Sequence, residues 1–226
     1  MKFVHSKEII EKFPENFTCI IGNIAIVDAT KLSEKTTLLM NNISKKQDYV
    51  NDSIGSWKKI FATMGAKPKY SSSLEILNKY YDEKKKLYAI SPIVDFYNAY
   101  SLSEGIPMAA YDESNLRGDI ILRFAKKDEP FVPLGNPKQL EKTKNNEVIY
   151  ADAQKVICRY WNLQDCHETR IISETKRVLF VFDIVNNSVV SAEDKYQQIK
   201  TDFIDVFGPS IICGLTGHNR SNELQL

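Results

Sequence analysis

Histidines are the first side chains to consider for acid–base chemistry, and this sequence has only three. His5 and His218 lie near the ends of the sequence, where we expect solvated side chains, and His167 falls in a predicted loop. A serine or cysteine hydrolase triad built on His167 stays open, because triads assemble in space rather than along the chain. No phosphate-binding loop, dinucleotide fingerprint, G-x-S-x-G or H-E-x-x-H motif is present.

Cysteines are the next candidates for nucleophilic or metal chemistry. Cys19, Cys158, Cys166 and Cys213 are widely scattered, and no pair has C-x-x-C spacing. We interpret them as reduced thiols in a reducing cytosol. A zinc site from Cys158, Cys166 and His167 would lack a fourth ligand and the spacing of a common zinc finger. We therefore expect neither a metal nor a cofactor.

Lysines alternate with aromatic residues in two segments, residues 57–61 (WKKIF) and 67–70 (KPKY). Lysines can hold phosphates while aromatic rings stack on bases. The alternative, which we favour here, makes the aromatics core and the lysines a solvated face. The net charge of +1 gives no support to RNA binding by bulk charge, so any such contact must come from a local patch.

Composition is that of a globular protein, with 43% hydrophobic and 26% charged residues among 226. The most apolar stretch, residues 18–27, is too short to cross a bilayer and predicts a buried strand. The first residues lack the pattern of a signal peptide. We predict a cytoplasmic protein without membrane contact and without a DNA partner.

Periodicity predicts helices in the first half of the chain. Trp57, Ile60, Phe61 and Met64 share one helix face. Residues 72–75 (SSLE) form a capping box that starts a second helix, and residues 91–92 (SP) start a third, which ends near Gly105. Residues 31–52 are predicted to be a loop or an exposed helix.

The period then changes to two, which predicts strands at residues 119–125, 147–151, 155–161 and 177–185. A last helix starts at residues 191–194, and residues 210–226 are expected to be frayed. This order predicts an α+β fold with a barrel-like, mostly antiparallel sheet core and helices packed around it.

One stretch resembles a known family. Residues 91–112 (SPIVDFYNAYSLSEGIPMAAYD) are similar to the part of the phenylalanyl-tRNA synthetase beta subunit in which D-x-x-N leads to G-x-P and an aromatic–Asp pair. The matching residues are Asp95, Asn98, Gly105, Pro107, Tyr111 and Asp112, and the similarity continues through residues 116–120, Arg123, Glu129, Asp152, Thr169 and Thr175.

The chain is more similar still to free-standing B3/B4 domain proteins, which share a Trp helix, a K-P-K-Y-x-x-S segment and a C-R-x-W-N strand. Here these are Trp57, residues 67–73 and residues 158–162. The resemblance predicts one B3/B4-like domain over residues 1–226, with a recognisable core at 55–185. Residues 1–54 would add an N-terminal strand and extension, and residues 190–226 a C-terminal helix and tail.

The resemblance implies a pocket for an amino acid esterified to the acceptor end of tRNA, since the synthetase domain hydrolyses tyrosine wrongly attached to phenylalanine tRNA. It therefore predicts an editing hydrolase that deacylates a mischarged aminoacyl-tRNA in trans. Two alternatives stay open. One is a non-catalytic module that binds tRNA or an amino acid, and the other is a hydrolase of small esters or amides.

Two departures change the expected pocket. This chain has Ala109 where the synthetase has a histidine, and Val181 where it has a glutamate. Losing both polar groups argues against tyrosine as the rejected amino acid. The synthetase also has small glycines where this chain has Arg159, Trp161 and Asn162.

An aminoacyl ester is already activated, so positioning of water and hydrogen bonds to the oxyanion can suffice for hydrolysis. The pocket or substrate-binding residues predicted in this way are Asn98, Pro107, Ala109, Asp112, Arg159, Trp161, Asn162 and Val181. Structural or phosphate-contacting roles are predicted for Arg123, Asp152, Thr169 and Thr175, with Arg123 meeting either phosphate or Asp152. No residue is assigned as the catalytic group.

Overall fold

Six helices and twelve strands form the part of the chain that the computed structural model describes, residues 1–43, 47–187 and 191–226. The helices are α1 Lys7–Lys12, α2 Ala29–Met40, α3 Gln47–Thr63, α4 Ser73–Lys84, α5 Pro92–Glu104 and α6 Ala192–Phe207. The strands are β1 Lys2–His5, β2 Asn16–Ala25, β3 Met108–Asp112, β4 Ile120–Phe124, β5 Pro130–Phe131, β6 Glu141–Lys142, β7 Val148–Ala151, β8 Val156–Arg159, β9 Gln164–Asp165, β10 Arg177–Val185, β11 Ile212–Gly217 and β12 Glu223–Gln225.

The strands form two principal sheets and one short hairpin. The large sheet has the order β12-β1-β4-β7-β8-β9, the small sheet has the order β11-β2-β10-β3, and β5 pairs with β6. Neighbouring strands in the sheets are antiparallel except β1 and β4. The predicted α+β fold with mostly antiparallel strands is confirmed, and both sheets are open rather than closed into a barrel.

The small sheet is the middle layer, because its two faces contribute to different apolar clusters. Residues on one face, such as Ile20 and Val181, pack with β7, β8 and the α3 residue Trp57. Residues on the other face, such as Ile21 and Phe180, pack with α5 and α6. Alternation along each strand therefore sends neighbouring side chains into two separate cores.

Local signals position the helices as predicted. The backbone N–H of Glu75 donates to Ser72 Oγ at the start of α4, and that of Asp194 donates to Ser191 Oγ at the start of α6. Pro92 opens α5, and Gly105 ends it with a φ of 61°. A Cβ there would lie 2.8 Å from the Tyr49 ring, so both conformation and space require glycine.

Two expectations about the chain are wrong, and one strand was not predicted. Residues 210–226 form β11 and β12 instead of fraying, since they pair with β2 and β1. Residues 108–112 form the edge strand β3, which the sequence pattern did not indicate. His5 is buried rather than solvated, because β1 lies inside the large sheet.

The segment predicted as loop or exposed helix contains α2 and the first turns of α3, apart from residues 44–46, which lie outside the described residues. Residue 190, the predicted start of the C-terminal segment, also lies outside them. Across the described ranges, no helix combines the length and the apolar character needed to cross a membrane.

Candidate functional site

Asp183, on the small-sheet strand β10, has a buried carboxylate that accepts hydrogen bonds from several surrounding elements. The Tyr150 hydroxyl of β7 and the Trp161 Nε1–H, at 3.2 Å, both donate to Oδ1. The Asn162 side-chain amide donates to Oδ2 at 3.2 Å. The Thr18 hydroxyl of β2 lies 3.4 Å from Oδ1. The carboxylate thus ties both sheets to the turn that follows β8.

Burial raises the pKa of Asp183 to about 7, because a charged carboxylate is poorly solvated in the interior. The hydrogen bonds from Tyr150, Asn162, Trp161 and Thr18 act in the opposite direction but do not cancel the effect of burial. A carboxyl group with this pKa exchanges a proton readily near neutral pH. Asp183 therefore has the property required of a general acid or base.

The turn after β8 has an uncommon backbone conformation. Tyr160 and Trp161 have φ values of 49° and 66°, although neither is a glycine. Such residues cost about 1–3 kcal/mol each and persist only where packing enforces them. The Trp161 ring packs edge-on against Trp57, at 5.5 Å between centroids, and against Phe13, at 5.1 Å. This packing directs the Trp161 and Asn162 side chains at Asp183.

Several buried polar atoms in and around this network lack a hydrogen-bond partner among the described residues, and two of them belong to Trp57 and Asn162. These two are the Trp57 indole Nε1–H and the Asn162 side-chain Oδ1. Buried donors and acceptors are nearly always satisfied by protein or by an ordered molecule. Trp57 therefore has one unsatisfied donor, and Asn162 has one unsatisfied acceptor.

A narrow crevice of about 10 Å³ lies next to Asp183, between α3 and β10. Its lining residues are Tyr49, Ser53, Gly105, Ile106, Asp183, Ile184, Val185 and Asn187. A cavity of this size has room for about one water molecule. Asp183, whose carboxyl group has a near-neutral pKa, is thus one of the residues that line a space of the size of water.

Five of the predicted pocket residues surround Asp183. Trp161 and Asn162 bind its carboxylate, and the Pro107 carbonyl accepts a hydrogen bond from its backbone N–H at 3.0 Å. Ala109 and Val181 lie opposite each other on β3 and β10 and belong to the same apolar cluster as Trp161. The Ala109–Val181 pair is therefore an apolar patch on the Asp183 side of the small sheet.

Arg159 and Asn98 lie apart from the Asp183 carboxylate. The Arg159 guanidinium donates to both carboxylate oxygens of Glu147, at 2.6 and 2.9 Å, and to Glu141 at 2.7 Å. Asn98 is half-buried in the middle of α5 and is not among the residues that line the crevice. The arrangement commits Arg159 to supporting the turn rather than to the crevice.

Asp112, Thr169 and Thr175 form a separate cluster at the end of β3. The Thr175 hydroxyl donates to Asp112 at 2.7 Å, and the backbone N–H of Asp112 donates to the Thr169 carbonyl at 2.9 Å. Burial acts to raise the pKa of Asp112, but hydrogen bonds from Ser114 and Thr175 outweigh it and lower that pKa. The cluster holds the turn after β3.

Arg123 and Asp152 have different partners from each other. Arg123 donates two hydrogen bonds to Glu129, at 2.8 and 2.6 Å, rather than to Asp152. Asp152 accepts from the backbone N–H groups of Arg117, Gln154 and Lys155. Both residues thus stabilise loops of the large sheet.

Sequence reasoning missed Asp183 and the role of His5. The signal for Asp183 was a single acidic residue inside the apolar strand segment VLFVFDIV. His5 Nε2 lies 2.9 Å from the Thr18 hydroxyl and 3.3 Å from that of Thr216, and burial lowers the pKa of His5 to about 3. His5 is therefore a neutral end of the buried network that leads through Thr18 to Asp183.

The layered α+β fold and its interior carboxylate site define a domain in which two sheets and a strained turn enclose a small polar centre. The chain belongs to the B3/4 domain family, whose sequence profile matches residues 56–208. It is 33% identical over 69 residues to a phenylalanine–tRNA ligase beta subunit from Vibrio cholerae serotype O1, a match that covers 30% of this chain and 8% of that protein.

A similar solved structure is an N-terminal fragment of the phenylalanyl-tRNA synthetase beta subunit from Pyrococcus horikoshii. The superposition has a TM-score of 0.44 and 13% identity, and it covers 92% of this chain and 49% of that fragment. The chain thus spans less than a tenth of the curated relative and about half of the solved fragment.

Proposed function

We propose that this protein acts on tRNA in the cytoplasm and hydrolyses the ester of a mischarged aminoacyl-tRNA, with Asp183 as the general base. The observation that carries the proposal is a buried carboxyl with a pKa of about 7, on a residue that lines a crevice the size of one water, in a member of the B3/4 domain family. Membership alone supports a tRNA-related role, and the Asp183 site adds the chemistry.

In the proposed reaction, the Asp183 carboxylate accepts a proton from the water as its oxygen attacks the ester carbonyl. The C–O bond to the terminal ribose then breaks, and Asp183 returns the proton to the ribose oxygen. The products are a free amino acid and an uncharged tRNA acceptor end. In this proposal the unpartnered Trp57 Nε1–H donates to the oxyanion, and Asn162 Oδ1 accepts from the α-ammonium group. Neither residue lines the crevice, so both contacts require movement of α3 or β10.

The site also bears on which amino acid is removed. The Ala109–Val181 pair, on the same face of the small sheet as Asp183, offers no polar group to a side chain. A phenolic hydroxyl buried there would lose its hydrogen bonds to water without replacement. A small or apolar amino acid therefore fits this proposal better than tyrosine does.

The test is deacylation of a panel of mischarged tRNAs by the full chain and by Asp183→Asn, which keeps the shape of the side chain. We expect wild type to release one amino acid and Asp183→Asn to reduce the rate by about 100-fold or more, the scale of general-base catalysis. The matched control is Asp165→Asn. Asp165 is a second carboxyl whose pKa is raised by burial and which accepts from a tyrosine, Tyr111 at 3.0 Å, but it does not line the crevice.

A second candidate is a non-catalytic module, which the water-sized crevice favours because a whole amino acid does not fit without movement of α3 or β10. Binding of aminoacyl-tRNA without release by wild type would establish the module and refute the general-base role. Hydrolysis of small esters or amides with no effect on charged tRNA would instead support the third function.

A further inference from the structure

A group of basic and aromatic side chains lies immediately before the Trp161–Asn162 part of the turn. We propose that Lys67, Lys69, Tyr70, Lys144 and Tyr160, here called the lysine–tyrosine surface, bind the single-stranded end of an RNA. This inference rests on the proposed function for the identity of the RNA, since it places the acceptor end beside the Asp183 site.

The two tyrosines supply a platform for base stacking. The Tyr70 and Tyr160 rings are 4.4 Å apart between centroids, with an angle of 40° between their planes. Tyr160 is held by the strained turn and by the Arg159 guanidinium, 5.2 Å from its ring centroid. Tyr70 is half-buried, so part of its side chain faces solvent. A fixed aromatic pair with an accessible ring is what unstacked bases bind.

The three lysines supply the charge that phosphates require. The Nζ atoms of Lys69 and Lys144 lie 5.4 and 5.8 Å from the Tyr70 ring centroid. The side chains of Lys67, Lys69 and Lys144 are exposed, and within the described residues none forms a salt bridge. Glu147 lines the same cleft, but both of its oxygens bind Arg159. The positive charge at this surface is therefore not neutralised by the protein.

The electrostatic environment of Tyr70 agrees with that description. The pKa of the Tyr70 phenol is lowered from its ordinary value, first by the neighbouring Tyr160 hydroxyl and then by Lys144, Lys69 and Lys67. A cleft of about 150 Å³ opens between Lys67, Tyr70, Lys144 and Tyr160. Because the chain as a whole carries a charge of only +1, a local concentration of unpaired lysines is where a polyanion would bind.

The location connects this surface to the candidate site. Tyr160 precedes Trp161 and Asn162, whose side chains bind Asp183. A strand end whose base stacks on Tyr70, which itself packs on the buried Tyr160, would place its next atoms near the turn that binds the carboxylate. An acidic peptide would use the lysines but would gain nothing from the tyrosine pair, which favours RNA over a protein partner.

The test measures fluorescence anisotropy of a labelled short single-stranded RNA, a blunt RNA duplex and deacylated tRNA over a range of salt concentrations. The first variant replaces Lys67, Lys69 and Lys144 with Gln. The matched control replaces the exposed Lys84, Lys86 and Lys127, which removes the same charge elsewhere. Loss of three phosphate contacts should reduce the steepness of log K against log salt by about 2 for single strands. The control triple should leave it unchanged.

The second variant is Tyr70→Ala, compared with Tyr70→Phe and with Tyr88→Ala, which alters an exposed ring in another stacked pair. Because Tyr70→Ala removes the stacking of one base, we expect it to weaken single-strand binding by about 5- to 150-fold. The other two variants should bind like wild type. Duplex binding should change little. Circular dichroism and urea unfolding of each variant separate loss of binding from loss of folding.

Two results would overturn the RNA assignment. One is that both lysine triples change the salt dependence of RNA binding equally. The other is that polyglutamate binds tightly and that Tyr70→Ala does not weaken its binding. The two proposals fail separately. Should the surface variants lose RNA binding while wild type releases no amino acid from any charged tRNA, the RNA surface stands and the deacylase does not. If the wild type deacylates a charged tRNA and both surface variants bind RNA as tightly as the wild type, the deacylase stands and the surface does not.

Discussion

Ala109 and Val181 lie directly opposite each other on two antiparallel strands, and both side chains point to the face of the small sheet that carries Asp183. Residues opposite each other in this way have Cβ atoms about 5 Å apart, so their side chains interact. The pair therefore sets the polarity of the wall next to the candidate site.

The first prediction concerns polar residues at this pair. Val181→Glu alone should destabilise the protein by about 4 kcal/mol, because it buries an unpaired carboxylate. Adding Ala109→His should recover about 1–2 kcal/mol through a cross-strand ion pair. Urea unfolding of both single variants and the double variant gives the coupling energy. As a control, Ala110→His points into the other core and should show no coupling with Val181→Glu.

The second prediction is a pH dependence of stability that comes from Asp183. Its pKa is about 7 in the fold and 3.8 in the absence of the fold, so the folded protein holds a proton that the unfolded chain has released. The contribution of Asp183 to stability is therefore greatest below pH about 4, falls by about 4 kcal/mol as the pH rises to about 7, and is then level.

Asp183→Asn has no proton to lose and should lack this contribution. The measurement is the free energy of unfolding in urea at a series of pH values for wild type and Asp183→Asn. As the pH rises from about 4 to about 7, the free energy of unfolding of wild type should fall relative to that of Asp183→Asn. Parallel curves across that window would show that Asp183 is ionised in the fold and is not poised as a base.

The third prediction concerns His5, for which the sign is opposite. Burial lowers its pKa from 6.5 to about 3, so the unfolded chain takes up a proton that the fold does not accept. His5 therefore lowers the free energy of unfolding by up to about 5 kcal/mol as the pH falls from about 6.5 to about 3. His5→Gln should therefore resist acid unfolding better than wild type when circular dichroism is followed during acidification. His218→Gln, at an exposed position, should behave like wild type.

The fourth prediction compares two arginines. Arg159 is buried between Glu147 and Glu141, whereas the side chains of Arg123 and Glu129 are 25% and 21% exposed. Arg159→Met should cost about 3–5 kcal/mol, since it leaves Glu147 buried without a partner. Arg123→Met should cost about 1 kcal/mol. Adding Glu147→Gln should recover part of the Arg159→Met loss, and equal losses for the two arginines in urea unfolding would contradict the assignment.

Most helices and the central strands can be predicted from local sequence patterns. Ser72 with Glu75, Pro92 and Gly105 mark helix ends by hydrogen bonds and backbone conformations that involve only near neighbours. The strands β3, β11 and β12 have no such marker. They form because β10, β2 and β1 offer unpaired edges to segments distant in sequence, so they could not be predicted from local preference.

By itself, the sequence determined the α+β class, the starts of α4, α5 and α6 and, through family motifs, several residues that lie around the site, among them Trp161 and Asn162. Only the tertiary structure decided that Asp183 is their common partner, that His5 is buried, and that Arg159 is committed to Glu147. The physical reason is that a carboxylate or an imidazole acquires its pKa from what surrounds it. For Asp183 those surroundings come from β2, β7 and the turn after β8, which meet only when the two sheets pack together.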